Sequence, residues 1–184
     1  MGNTIRLEPL QVYIDPSAKP VDRRLDALKA YWRGKADAVG TLPSRSQITP
    51  REMLPHLPSI LLLNVSGQGR FPKDFSVRLC GTALDDLFGQ DITGMRLDEL
   101  VSPQWVKLAA GALAVAGLHR CPIRFYGRID VPGEVGACLE AMVMPLSHDG
   151  QQVDMLLCEV ITIRQMDLHA FPELTADLQQ ALGA

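Results

Sequence analysis

Apolar residues recur at helical spacing from Val21 through Leu25 and Leu28 to Trp32, with Arg, Asp and Lys between them. That period predicts an amphipathic helix with one apolar stripe. Asp22 near its start suits the helix dipole, and Gly34 offers an end. Before it, residues 1–20 hold Pro9, Pro16 and Pro20 and no sustained period, and read as a weakly ordered arm. After it, Thr49, Pro50 and Glu52 mark the cap and first turn of a helix that Pro55 and Pro58 keep short. Residues 59–66 are a buried strand. In the next strand Phe75, Val77 and Leu79 alternate with Ser76, Arg78 and Cys80, which predicts one core face.

Ser102 and Pro103 open a longer helix, whose expected apolar stripe is Trp105, Leu108, Ala112 and Val115. Many small residues beside that stripe would let it lie close to a sheet. Three strands follow as a meander, joined by the turns "PGEVG" and "HDGQQ". Phe171, Leu174, Leu178 and Leu182 then suggest a closing amphipathic helix. Runs of strands split by a helical block predict an α+β fold with a five-stranded antiparallel sheet and flanking N- and C-terminal helices. The expected division is an arm at 1–20, a helical extension at 21–58, a core at 59–165 and a C-terminal helix at 166–184.

Composition changes this picture little. The 184 residues suit one domain with short extensions, and 47% apolar against 21% charged is an ordinary globular balance. A net charge of −3 with no basic stripe gives no electrostatic case for nucleic acid or an anionic membrane. The apolar window from Leu108 to Leu118 is too short to span a bilayer, and the N-terminus lacks a signal pattern, so a cytoplasmic location is expected. Cys80, Cys121, Cys138 and Cys158 form no C-x-x-C pair and read as reduced, buried thiols rather than metal ligands.

The stretch "GTALDDLFGQDITG", Gly81 to Gly94, raises sharper possibilities. A phosphate cradle would need a helix N-terminus behind the glycines of Gly67–Gln68–Gly69, but a strand follows, and Pro72 replaces the third glycine. A calcium loop is not matched either, because the spacing of Asp85, Asp86 and Asp91 differs from that of the twelve-residue loop and no bidentate Glu closes it. The favoured reading is a structural corner. Gly81 turns the chain, Leu84, Leu87 and Phe88 cover the end of the sheet, Gly89 stops the turn in a left-handed conformation, and Asp91 and Thr93 bond nearby amides before Gly94 reverses the chain.

Two strands, a helical crossover and three antiparallel strands resemble the plan of a PAS domain. "YWRGK", "LPSRSQITPREMLPHLPSILLLNV", "FSVRLCGTALDDLFGQDITG" and "RLDEL" together look like a PAS subfamily found as stand-alone bacterial proteins. The match covers roughly Leu25 to Ile163, and its late strands are less distinctive. The resemblance implies a sensory or protein-docking module without catalysis, and it does not name a ligand. Some PAS domains bind haem through a helical His, and His119 ends the long helix roughly where such a ligand would lie. A helix-terminal His complementing the dipole is the favoured role for it.

Function is then expected to rest on a protein partner, and on a small apolar or amphipathic ligand held between sheet and helices. The candidate ligand-binding residues are Phe125, Tyr126, Met142, Met144, Met155 and Leu157, whose adaptable side chains suit an apolar pocket and equally a packed core, together with Arg78. Arg78 and Arg124 are expected to point outward into solvent, and Arg45 to tie the N-terminal segment to the core. A homodimer would use the stripes Leu25, Leu28, Trp32 and Phe171, Leu174, Leu178, which must be covered by the sheet or by a second subunit. The alternative is an isomerase- or hydratase-like enzyme, for which Glu140, Glu159 and Tyr126 are the strand-borne acid–base candidates.

Overall fold

The computed structural model describes residues 7–67 and 74–176. Asp22 opens α1 (Arg23–Val39) by accepting from the Arg24 amide, and Gly40, left-handed at φ 70°, closes it. Gly34, expected as the end, lies inside the helix; a glycine stops a helix when it takes the left-handed conformation, and Gly40 does so. The connection 41–59 winds through short 3-10 turns, one of them Pro50–Met53 after Thr49 as expected.

A six-stranded antiparallel sheet follows, in the order β1-β4-β5-β6-β2-β3. Its strands are β1 (Glu8–Asp15), β2 (Ile60–Ser66), β3 (Asp74–Cys80), β4 (Ile123–Val131), β5 (Glu134–Leu146) and β6 (Met155–Thr162). The α+β antiparallel plan is the expected one, with one strand more. That strand comes from the arm: residues 8–15 pair along β4 from Glu8↔Asp130 to Asp15↔Arg124, with a register shift between Pro9 and Gln11. An edge strand tolerates a proline that a central strand would not.

Between β3 and β4 run α2 (Thr82–Phe88), α3 (Leu97–Leu100) and α4 (Val106–His119). The corner is built as expected. A Cβ on Gly81 would lie 2.3 Å from the Leu57 carbonyl oxygen, so only glycine fits where the chain passes the 3-10 segment. Gly89 at φ 72° caps α2, and Asp91 accepts from the Thr93 amide at 2.8 Å.

Both faces of the sheet are covered. On the inner face Phe75, Val77, Ile123, Phe125, Val143, Leu156 and Cys158 pack with Leu84, Phe88, Leu100 and Ala114 of the crossover. On the outer face Leu62, Met142, Met144 and Leu157 pack with Leu25, Leu28 and Trp32 of α1 and with Ile48 and Met53. Trp32 also donates from Nε1 to the Pro145 carbonyl at 2.9 Å. Adjacent to this layer, Phe171 and Leu174 close over Cys138 and Ile163 beside Tyr13 and Tyr126. Residues 172–176 are helical, as expected there. Leu178 and Leu182 lie outside the described residues.

Two expectations fail for identifiable reasons. Leu79 is 41% exposed, although alternation placed it in the core with Phe75 and Val77. The register shifts between Leu62↔Leu79 and Leu63↔Val77, so Arg78 is an extra residue in β3 and Leu79 turns to the outer face. In α4 the expected stripe is buried only in part: Trp105, Ala112 and Val115 are half-buried against the inner-face core, Leu108 is 57% exposed, and Ala114 and Ala116 are the fully buried residues. A helix apolar all round has no single face that its sequence marks for burial. Among the described residues no helix is long and apolar enough to cross a membrane.

Candidate functional site

Three features meet at the N-terminus of α1. β6 continues to Thr162, while its neighbour β2 begins only at Ile60, paired with Glu159. Past that point α2, α1 and the segment after β6 frame a cleft of about 630 Å³. Leu84, Leu87 and Val160 give it an apolar wall, and Arg23, Arg24 and Ser59 a polar one.

Two buried carboxylates anchor α1 beneath this cleft. Glu140 is 1% exposed and Glu159 is 0% exposed. They stand on the outer face of adjacent strands, one register step apart, since Glu140 faces Ile161 and Glu159 faces Met142. Each has its own set of donors, as a charge removed from water requires. Glu140 accepts from Arg124 Nε at 2.6 Å, from the Val21 amide at 2.8 Å and from the Asp22 amide at 3.1 Å. The last two are donors at the entry to α1, where a negative charge is favoured. Glu159 accepts from Arg24 Nη2 at 3.0 Å and lies 2.9 Å from His56 Nδ1. An ionised carboxylate only accepts, so a hydrogen bond here needs the proton on that ring nitrogen. Arg24 Nη2 also donates to Ser59 Oγ at 3.1 Å.

Arg124 extends the network across the sheet. Its Nη1 reaches Asp15 of β1 at 3.1 Å, and its guanidinium lies 4.4 Å from the Tyr126 ring centre and 5.2 Å from that of Phe171. Tyr126 in turn stacks on Tyr13 with centres 5.1 Å apart. The Asp15 carboxyl is held below the ordinary carboxylate range, chiefly by Ser17 and then, against the opposing effect of burial, by Arg124. Burial lifts the Tyr126 phenol above its ordinary value.

The residues expected to line one pocket are divided by the sheet. Phe125 packs on the inner face with the crossover helices. Met142, Met144 and Leu157 pack on the outer face against α1, with Met155 beside them, and Tyr126 belongs to the neighbouring Phe171 cluster. Arg78 is exposed, as expected. Arg124 is buried and ion-paired, against the expectation of a solvated side chain. The acid–base candidates are likewise apart: of Glu140, Glu159 and Tyr126, Glu140 alone lines the cleft. His119 is exposed at the last residue of α4. Burial pushes the Cys158 thiol up to about 12. The Cys80 thiol also rises to about 12, from burial first and then from Asp85.

A second groove, about 380 Å³, runs between the 3-10 turns and the ends of β2 and β3, floored by Leu62, Leu157 and the displaced Leu79. Arg45 stands at its rim and donates to the Ile48 carbonyl at 2.9 Å, a bond local to the connection rather than the expected tie between the N-terminal segment and the core. The contributions of Arg24 and His56 were not foreseen. One signal was available: "CLEAMVMPL" in β5 is apolar at consecutive positions, the mark of a strand buried on both faces. A Glu within such a run calls for a buried cation.

No curated protein matches the chain. Among solved structures, the PAS domain from Bordetella pertussis BvgS superposes with a TM-score of 0.47 at 14% identity, covering 87% of this chain and 99% of that one. An RNA-binding light-oxygen-voltage receptor superposes at 0.43 and 13% identity, over 77% of this chain and 41% of that one. A family model described as PAS domain matches residues 22–160, a span that takes in α1, its two carboxylate anchors, the corner after Gly81 and strands β2 to β6, short of the last two residues of β6, but not β1. The chain belongs to the PAS-domain family.

Proposed function

We propose that this sensory and regulatory module works without catalysis, by binding a protein partner and by taking a small amphipathic ligand into the cleft at the start of α1. The observation that carries this reading is the position of the cleft: the first turn of α1 forms its wall, and Arg24 and Glu140 both line it and hold that helix to the sheet. A ligand there touches the groups that seat α1. It acts by binding the seated and unseated arrangements with different affinity, and the partner reads the difference. The apolar wall and the adjoining arginines suit a ligand with an apolar body and a polar or anionic end.

Two further observations support a role other than catalysis. Both buried carboxylates are already engaged by cations and amides, and the three acid–base candidates do not share one cavity. Four unpaired cysteines fit the reducing cytoplasm.

The test is native mass spectrometry of the protein purified from its source, followed by hydrogen exchange along α1 with and without the co-purifying molecule. Binding is expected to change exchange in α1, and Ala83→Trp, which fills the cleft from α2, is expected to abolish both binding and the change. A bare chain mass, or a ligand whose binding survives Ala83→Trp, overturns the cleft assignment.

A further inference from the structure

The smaller groove lies against the outer face of the sheet, between the connection 41–59 and the ends of β2 and β3. Buried Ile48, Met53, Leu62 and Leu157 line it, and so does Leu79, which stays 41% exposed. The bulge at Arg78 puts Leu79 there, since plain alternation would have sent it into the inner-face core with Phe75 and Val77. Turning a leucine out of a core forgoes burial that folding favours. Bulges are frequent beside functional sites, where they re-aim a side chain. Here the re-aimed side chain gives the groove an apolar wall.

Arg45 is the second observation. Among the described residues it is the one charged side chain that lines the groove. Its Nη1 donates to the Ile48 carbonyl at 2.9 Å, which holds the guanidinium in place. Arg24, Arg96, Arg124 and Arg164 each pair with a carboxylate. Arg45 pairs with none among the described residues, and its Nε and Nη2 donate no hydrogen bond there. A held guanidinium with these donors free is suited to a carboxylate, which it takes through two parallel hydrogen bonds.

The groove is distinct from the cleft. Gly81 rests on the Leu57 and Pro58 carbonyls between them, so that Pro58 and Thr82 line the groove while Ser59 and Ala83 line the cleft. A volume of about 380 Å³ is that of a small-molecule site. A lining that is apolar but for one cation suits a ligand apolar along its length and singly negative at one end. A phosphorylated ligand would bring two charges to one cation, and a neutral lipid would leave the guanidinium unmet.

We propose that this groove binds a medium-chain aliphatic carboxylate, with its acyl chain along Leu62, Leu79 and Leu157 and its carboxylate on Arg45. The bound molecule joins the connection, through Arg45, to the end of β3, through Leu79. The site does not depend on the function proposed for the cleft.

Amide NMR of the full chain titrated with octanoate at neutral pH tests this. Shifts are expected to saturate as for a single site and to cluster at Arg45, Leu57 and Leu79. Leu79→Glu, at an exposed position, is expected to abolish the response. Arg45→Gln is expected to weaken octanoate roughly tenfold or more while leaving octanol, a neutral ligand with the same chain, unaffected. A merely structural role for Arg45 would move both ligands alike. Ala83→Trp, which fills the cleft, is expected to change neither. Shifts that never saturate, or that cluster at Arg23, Ala83 and Leu87 of the cleft, overturn the proposal. So does a response that survives Leu79→Glu, or an Arg45→Gln chain that loses octanoate and octanol equally.

Discussion

Glu140 accepts from Arg124 Nε at 2.6 Å directly below the chain entry to α1, whose Val21 and Asp22 amides bond the same carboxylate. Removing the carboxylate leaves a buried guanidinium with Asp15 as its remaining acidic partner. Glu140→Ala is expected to cost about 3 kcal/mol, the lower end for breaking a buried pair. Chemical denaturation measures it. A double-mutant cycle with Asp15→Ala is expected to show coupling, since both carboxylates serve Arg124.

Trp32 is nearly fully buried under the sheet and bonded to the Pro145 carbonyl. Its truncation therefore acts on folding within one chain. Trp32→Ala is expected to lower stability by about 3–5 kcal/mol. The unfolding midpoint is expected to fall with no dependence on which oligomer is present. The same burial holds for Leu25, Leu28, Phe171 and Leu174, whose side chains the rest of the chain already covers.

Two glycines make opposite predictions. Gly81→Ala would put a methyl 2.3 Å from the Leu57 carbonyl oxygen, and the obstacle is backbone on both sides. A loss of about 3 kcal/mol or more is expected. Gly34→Ala, inside α1 with open space around it, is expected to stabilise by about 0.5–1 kcal/mol through helix propensity. Thermal or denaturant melts of the two variants should move in opposite directions.

Asp149 supplies the acid limb. Its carboxylate accepts from the Gln151 and Gln152 amides and the Ser147 hydroxyl, which hold it below its ordinary value of 3.8. The unfolded chain binds that proton more readily than the folded one. This contribution is therefore fully present above about pH 4, and it fades as pH falls through the lower folded value. Asp15, depressed in the same direction, adds to it. Asp149→Asn is expected to flatten the fall of the melting temperature below pH 4 and to leave its pH dependence at neutral pH unchanged.

Element types were legible because their periods are strong, and the Gly81–Gly94 corner because each turn residue acts locally. The site was less legible, for a reason that the strands make plain. In β5 both faces are apolar, so alternation assigns Met142 and Val143 to opposite sides without saying what lies on either. Met142 and Met144 were expected with Phe125, yet they pack on α1. Arg124 looks solvated when read singly, and its pairing with Glu140 joins different strands. The bulge at Arg78 adds one residue to β3, a change with no local signature, and it alone moves Leu79. In α4 the apolar residues encircle the helix, so the sequence could not name its buried side.

The two-sided packing of β5 has a mechanical meaning. Met142 is gripped by α1 and Val143 by the crossover helices, and they are consecutive in one stiff strand. A slip that loosens one layer loads the other. The sheet is thus a taut membrane between two compartments, and whatever presses on either is felt at once across its thickness.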